Sequence, residues 1–238
     1  MFDKKQTNTP LFFAKSFIRR IMDILESMKR RHSVRQYKDI PIEDELIVAL
    51  NVEIDAINKE SGLHFQLILN EPKAFDSFMA HYGRFTGVSN YIALVGKKSK
   101  DLQEKCGYFG ERLVMKAHEM GLHTCWVALT YKKIPGVIQI DKGEVLTVVI
   151  SIGHGKNRGL PRRSKSPEEV SNVSDSSPEW FKLGVEAALT APTAMNQQKF
   201  YLSYNDGKVS AKALFGPYSK MDLVIVKYHF EIATNKRI

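Results

Sequence analysis

Two short segments hold the side chains best suited to grip a ligand. The first is Lys29-Arg30-Arg31-His32-Ser33-Val34-Arg35-Gln36-Tyr37, where a helical pattern gives way to an extended one. Arginine forks donate paired, directed hydrogen bonds and a serine hydroxyl adds another, so this composition suits a phosphate. An exposed basic helix end has the same composition. The second segment is Ala191-Pro192-Thr193-Ala194-Met195-Asn196-Gln197-Gln198, between a helix and a strand. Its small residues let a planar group approach the backbone, and Asn196 and Gln198 offer both donors and acceptors. An ordinary connecting loop is the other reading.

Other chemistries lack their residues. The seven histidines form no HExxH and no metal triad, and no G-x-S-x-G nucleophile turn occurs. Cys106 and Cys125 have neither CxxC nor zinc spacing, so they read as two buried thiols in a reducing cytoplasm. Gly153-His-Gly155-Lys-Asn-Arg-Gly159 follows an apolar run and imitates a dinucleotide fingerprint. Its spacing is wrong, and Leu160-Pro161 stands where a helix N-terminus should receive the pyrophosphate. A mobile loop is the expectation there.

The elements that must carry these segments follow from periodicity and breakers. Residues 22–30 read as an amphipathic helix and Glu43–Asn58 as another, closed by Ser61-Gly62. Leu63–Leu69 is strand-like, Pro72–Tyr82 helical, Tyr91–Val95 a short strand and Asp101–Met120 a long helix. Glu144–Ile152 is apolar and β-branched, the pattern of a central buried strand. Gly153–Ser177 is polar and rich in Gly, Pro, Ser and Arg, a linker composition. A helix over Pro178–Thr190, a hairpin turning at Asn205-Asp206-Gly207 and a helix over Ser219–Ala233 complete the chain.

Two echoes suggest an internal duplication. The helix, loop and strand at 45–70 resemble those at 180–205, and LVMKAHEM at 113–120 resembles VIVKYHFE at 224–231.

Together the motifs resemble the nitroreductase family. Its members carry R-[RH]-S-x-[RK]-x-[FY], here Arg31–Tyr37, and A-P-S-x-x-N-x-Q-P-W, here APTAMNQQKF at 191–200. They also carry a long helix followed by G-L-G-[ST]-C-W, here Gly121–Trp126, and a strand ending I-G before K/R-x-[RK]-x-P, here Ile152-Gly153 and Arg163–Pro167. The A-P-S-like loop lies near residue 192 rather than in the first third of the chain, and Lys199 and Phe200 replace the usual Pro and Trp. The resemblance is therefore to a single-chain variant in which a duplicated half replaces the partner subunit.

That resemblance implies an α+β fold, a mainly antiparallel sheet flanked by helices and built as an internal pseudo-dimer. It divides the chain into an extension at 1–21, a first half at 22–160, a linker at 161–177 and a shorter second half at 178–238. It implies an FMN-dependent oxidoreductase, cytoplasmic and monomeric, passing hydride from NAD(P)H to a small acceptor such as a nitroaromatic or quinone. By resemblance Arg31, Ser33, Arg163 and Lys165 hold the phosphate, and His32 contributes mainly backbone. Arg35 lies under the ring edge, the turn at Thr124–Trp126 passes near the ring, and Pro192, Thr193, Ala194, Asn196 and Gln198 line it from the other half. No catalytic side chain, metal, membrane or nucleic acid is expected. A flavin binder without turnover and a basic nucleic-acid-binding module, prompted by the net charge of +9, are the alternatives.

Overall fold

The computed structural model describes residues 22–160 and 162–238, and the extension expected at 1–21 lies outside the described residues. Helix α1 spans residues 22–30. It buries Leu25 and Met28 against Ala187, Tyr228 and Ala233 of the distant C-terminal part. Helix α2 (Asp44–Ser61) places Leu50, Ile54 and Ile57 on one buried stripe, the i, i+4, i+7 spacing of an amphipathic helix.

The sheet holds β1 (His64–Ile68), β2 (Tyr91–Lys97), β3 (His123–Val127) and β4 (Glu144–Gly153) in the order β1-β2-β4-β3. Every pairing is antiparallel. β4 is central, as its β-branched run requires, and both its neighbours feed two cores. Ile92, Leu94, Val148, Ile150 and Ile152 point to one side. Tyr91, Ala93, Val95, Val127 and Val149 point to the other, the period of two that a pleated strand imposes.

Two expectations on this half are corrected. Pro72–Tyr82 is not one helix but a 3-10 turn at Pro72–Ala74 and a short α3 at Phe78–Tyr82. Thr124–Trp126 is not a turn: it lies within β3, an outer strand of the sheet. Its five residues were too few to show a period after the long helix.

Helix α4 (Leu102–Glu119) lies across one face of the sheet, followed in sequence by β3. The short α5 (Pro167–Val170) sits within the expected linker, so that stretch is partly structured and its Val170 is buried. Helix α6 (Glu179–Thr190) leads to the hairpin β5 (Phe200–Asn205) and β6 (Lys208–Ala213). Asp206 and Gly207 both have left-handed φ, of 48° and 80°, the two central residues of a tight hairpin turn. The last helix, α7 (Ser219–Thr234), packs on α4 and α6.

Two glycines permit that packing. A Cβ on Gly107 would lie 2.5 Å from Val224 Cγ2 and 2.8 Å from the Met221 carbonyl. One on Gly184 would lie 2.2 Å from the Phe230 ring. One continuous core therefore joins Leu50, Leu94 and Ile150 of the first part to Phe181, Leu202 and Phe230 of the second. The architecture is α+β, as the sequence implied. Among the described residues no helix is long and apolar enough to cross a membrane.

Candidate functional site

The 31–37 segment is an extended strap held by its backbone. Ser33 bridges Thr124 in parallel, and Val34 N donates to Thr124 O at 3.0 Å. Farther on, Tyr37 N donates to Thr86 O, Thr86 N to Arg35 O, and Lys156 N to Gln36 O. Val34 and Tyr37 point into the core, and the Tyr37 hydroxyl donates to Val34 O at 2.8 Å. The side chains of Ser33 and Arg35 are left to the surface side. The glycine loop after β4 is likewise fastened rather than free: Gly155 N donates to His123 Nδ1, and Gly155 bridges Tyr37.

The 191–198 loop is held quite differently. Met195, Asn196 and Gln198 have φ of 53°, 54° and 45°. Left-handed backbone is tolerated by Asn and costs about 1–2 kcal/mol for other non-glycine residues, so something must enforce it. Side chains do. Ala194 N donates to both Asp222 carboxylate oxygens at 3.0 and 3.1 Å, and Gln197 Nε2 donates to Asp222 Oδ2 at 2.8 Å. Gln198 is buried; its Oε1 accepts from Lys165 N at 2.8 Å, and its Nε2 donates to Ser164 Oγ and Leu189 O. Lys165 Nζ donates to Gln198 O, and Asn196 Nδ2 to Arg163 O.

Between strap and loop lies a cleft of about 650 Å³ lined by His32, Ser33, Arg35, Arg84, Arg162 and Asn196, with Pro192, Thr193 and Met195 on the loop side. Among the described residues no carboxylate lines it. It adjoins a smaller cavity of about 110 Å³ that shares Ser33, Arg35, Pro192 and Thr193. That cavity is walled by Trp126, Val127, Ala128, Val148, Met221 and Ile225. Cys125, Ala194, Met195, Tyr218 and Asp222 complete it.

A family model described as "Putative TM nitroreductase" matches residues 23–234. The chain belongs to this nitroreductase family. A protein of Thermotoga maritima described as a putative nitroreductase is similar in structure, with 20% identity and a TM-score of 0.64, covering 98% of this chain and 88% of that one. A nitroreductase-like protein of Streptococcus mutans gives 14% identity and a TM-score of 0.51 over 65% of this chain and 99% of its own. A Desulfovibrio desulfuricans structure, described as a putative nitroreductase in complex with FMN, gives 17% identity and a TM-score of 0.48 over 65% and 98%. No curated protein matches.

Within this nitroreductase-family fold, the residues expected at the site divide into two groups. Ser33, His32, Arg35, Trp126, Pro192, Thr193, Ala194 and Asn196 line the cleft or its cavity. Arg31, Thr124, Arg163, Lys165 and Gln198 line neither. Thr124 is a strand residue paired with Ser33, Arg163 is exposed, and Lys165 and Gln198 lock the loop from behind.

Arg31 is 3% exposed and turns into a buried polar network. Its Nε lies 4.0 Å from Glu111 Oε1 and its Nη2 donates to Thr190 O at 3.4 Å. The same glutamate accepts from Trp126 Nε1 at 2.9 Å and lies 2.8 Å from His229 Nε2. Burial lowers the Arg31 pKa, and it lowers that of His229 as well, despite the neighbouring Glu111. The network joins α1, α4 and β3 to α6 and α7 directly behind the cleft. The echoed histidines have thus diverged: His229 is fully buried in this network, whereas His118 is half-buried beside the strap.

Sequence reasoning missed Arg162, Arg84, Tyr218 and Asp222. Arg162 sits in the basic run at 158–165, and burial, reinforced by the proximity of Arg31, pulls its pKa down to about 10. Asp222 lies in the first turn of α7, where an acidic residue ordinarily serves the helix dipole. Burial raises its pKa to about 6 against the hydrogen bonds from Gln197 and Ala194. The sequence also gave no sign that His64, Asp141 and Glu144 converge, with ligand atoms within 4.8 Å of one another. His64 and Glu144 are already paired there at 2.8 Å.

Proposed function

We propose that this chain is an FMN-dependent reductase that takes hydride from NAD(P)H and delivers it to a nitroaromatic, a quinone or a similar small acceptor. The observation that carries the reading is the two-part cleft. One part is lined by three arginines, a histidine and a serine, with no carboxylate among the described residues; the adjoining part is walled mainly by apolar side chains. A ligand with a flat apolar body and an anionic tail fits that division, and FMN has this form.

In this reading Ser33, His32 and Arg162 receive the phosphate. Arg35 lies where the ring would meet the strap, and a cation there favours the negative charge of a reduced ring. Pro192, Thr193 and Ala194 supply a flat, small-residue wall, and Trp126, Met221 and Ile225 keep water from the inner cavity. Arg31, Lys165 and Gln198 act by fixing the strap and the loop. When bound, FMN would supply two-electron redox chemistry linking NAD(P)H to the acceptor, and such an exchange would follow ping-pong kinetics. The chain would work as a single-chain pseudo-dimer and a monomer: the second half, already packed on α4 through α7, supplies the loop that a partner would otherwise bring.

The test is flavin retention. Purified protein should be yellow, release FMN on denaturation and oxidise NAD(P)H with an acceptor. Arg162→Ala should weaken FMN binding by about tenfold or more, the value of one charge-assisted phosphate contact. Colourless protein with no measurable FMN affinity would overturn the reading.

A further inference from the structure

On the far side of the strap from the cleft lies a second pocket, of about 630 Å³. Arg30, Arg31 and His32 reach it from the end of α1, His118 from α4, His123 from β3 and Arg158 from the loop after β4. Among the described residues no carboxylate lines it. It meets the cleft only at His32 and Gly159, so the strap separates the two like a shared wall.

The cationic groups here are short of partners. Arg158 makes no ion pair among the described residues, and Arg30 reaches only Glu26, at 3.9 Å. Arg31 Nε is buried without any hydrogen-bond acceptor. Concentrating basic groups that acidic groups balance only in part, by Glu26 at 3.9 Å from Arg30 and Glu111 at 4.0 Å from Arg31, is unfavourable unless an anion completes the site. The imidazoles register the same repulsion. Beyond the effect of burial, Arg31 and His123 lower the His118 pKa; His154, Lys38 and Arg158 lower that of His123; and Arg31 and Arg162 lower that of His32. The nearby carboxylates are shared with other groups: Glu26 lies near Lys29 as well as Arg30, Glu111 holds Trp126 and His229 as well as reaching Arg31 Nε at 4.0 Å, and Glu43 pairs with His154.

We propose that this pocket is a second anion site, separate from the cleft, that binds a phosphate or pyrophosphate group through Arg30, Arg158, His118 and His123. The group belongs either to a free phosphorylated small molecule or to a ligand that continues past the strap from the cleft, as the second phosphate of a flavin dinucleotide would. The latter source rests on the flavin reading above. His118 binds the anion in its protonated form, and His123, whose Nδ1 accepts from Gly155 N, offers Nε2–H as a neutral ring, so affinity rises as pH falls.

The experiment is calorimetric titration of the full-length protein with inorganic pyrophosphate, with the cleft first saturated by FMN if FMN binds. Binding should strengthen from pH 8 to pH 6 by more in the wild type than in His118→Gln/Arg158→Ala, a comparison that cancels the titration of pyrophosphate itself. It should weaken by about tenfold or more in His118→Gln/Arg158→Ala. Arg162→Ala, altered in the cleft, should retain it. The proposal is overturned by absence of binding at millimolar pyrophosphate, or by affinity lost in Arg162→Ala and kept in the double variant. Circular dichroism of each variant separates loss of the site from loss of the fold. A second titration compares FAD with FMN: if the double variant weakens FAD alone, the phosphate belongs to a ligand spanning both sites, and if it weakens neither, the source is a separate molecule. Failure of any flavin to bind would remove the cleft reading and leave the pyrophosphate result standing.

Discussion

The strap at 31–37 and the loop at 191–198 face each other across one cleft, yet they are built on opposite principles. The strap is fastened by main-chain hydrogen bonds to Thr124, Thr86 and Lys156, partners that need no particular side chain. The loop bends through left-handed positions at Met195, Asn196 and Gln198, and distant side chains hold it there: Asp222 from α7, and Ser164 and Lys165 from the stretch before α5. A backbone-held wall tolerates substitution and presents whatever side chains the sequence supplies. A side-chain-held wall has a shape that single replacements far along the chain can undo, and it responds to pH.

The largest expected effect comes from that pH sensitivity. Asp222 has its carboxyl pKa raised to about 6 from an ordinary 3.8. Between roughly pH 4 and 6 the folded protein therefore keeps a proton that the unfolded chain has released. The contribution of this group to stability is greatest at acid pH and is lost as pH rises through about 6, by at most roughly 3 kcal/mol. Urea unfolding of wild type and Asp222→Asn across pH 4–7 should show a stability difference that changes with pH over this range. A difference independent of pH would show that Asp222 does not titrate there.

Gln198→Ala should come next. It removes the partners of Lys165 N, Ser164 Oγ and Leu189 O together, in a place where Gln198 itself is 2% exposed. Leaving such groups unsatisfied costs about 2 kcal/mol. The loop should then become the first site of limited proteolysis, an outcome that unchanged cleavage kinetics would contradict.

The smallest effects should be on the strap. Tyr37→Phe removes a buried hydroxyl bonded to Val34 O and Ser151 and should cost about 1 kcal/mol, while Gln36→Ala, on an exposed residue, should cost less than about 0.5 kcal/mol. If the Gln36 change in thermal stability matched that of Gln198→Ala, the contrast between the two walls would fail.

The sequence by itself determined most of the elements and both walls of the cleft. Periodicity located α2, α4, β2 and β4 because each is long or apolar enough for its buried face to repeat. The hairpin was legible because Asn205-Asp206-Gly207 carries its own turn chemistry. Short elements were not: β3 offers five residues, and the 72–82 region breaks where no strong signal marks it. Motif likeness found the strap and the loop, along with the family to which they belong. It could not say which way a side chain turns. Arg31 and Arg162 stand close together in space, and only the tertiary arrangement sends the first inward to Glu111 and leaves the second in the cleft. Asp222 acquired its role in the same way. One carboxylate in a helix's first turn carries no sequence signal. It becomes the loop's clamp only because α7, seated on α4 through Gly107, brings it beneath Ala194 and buries it there.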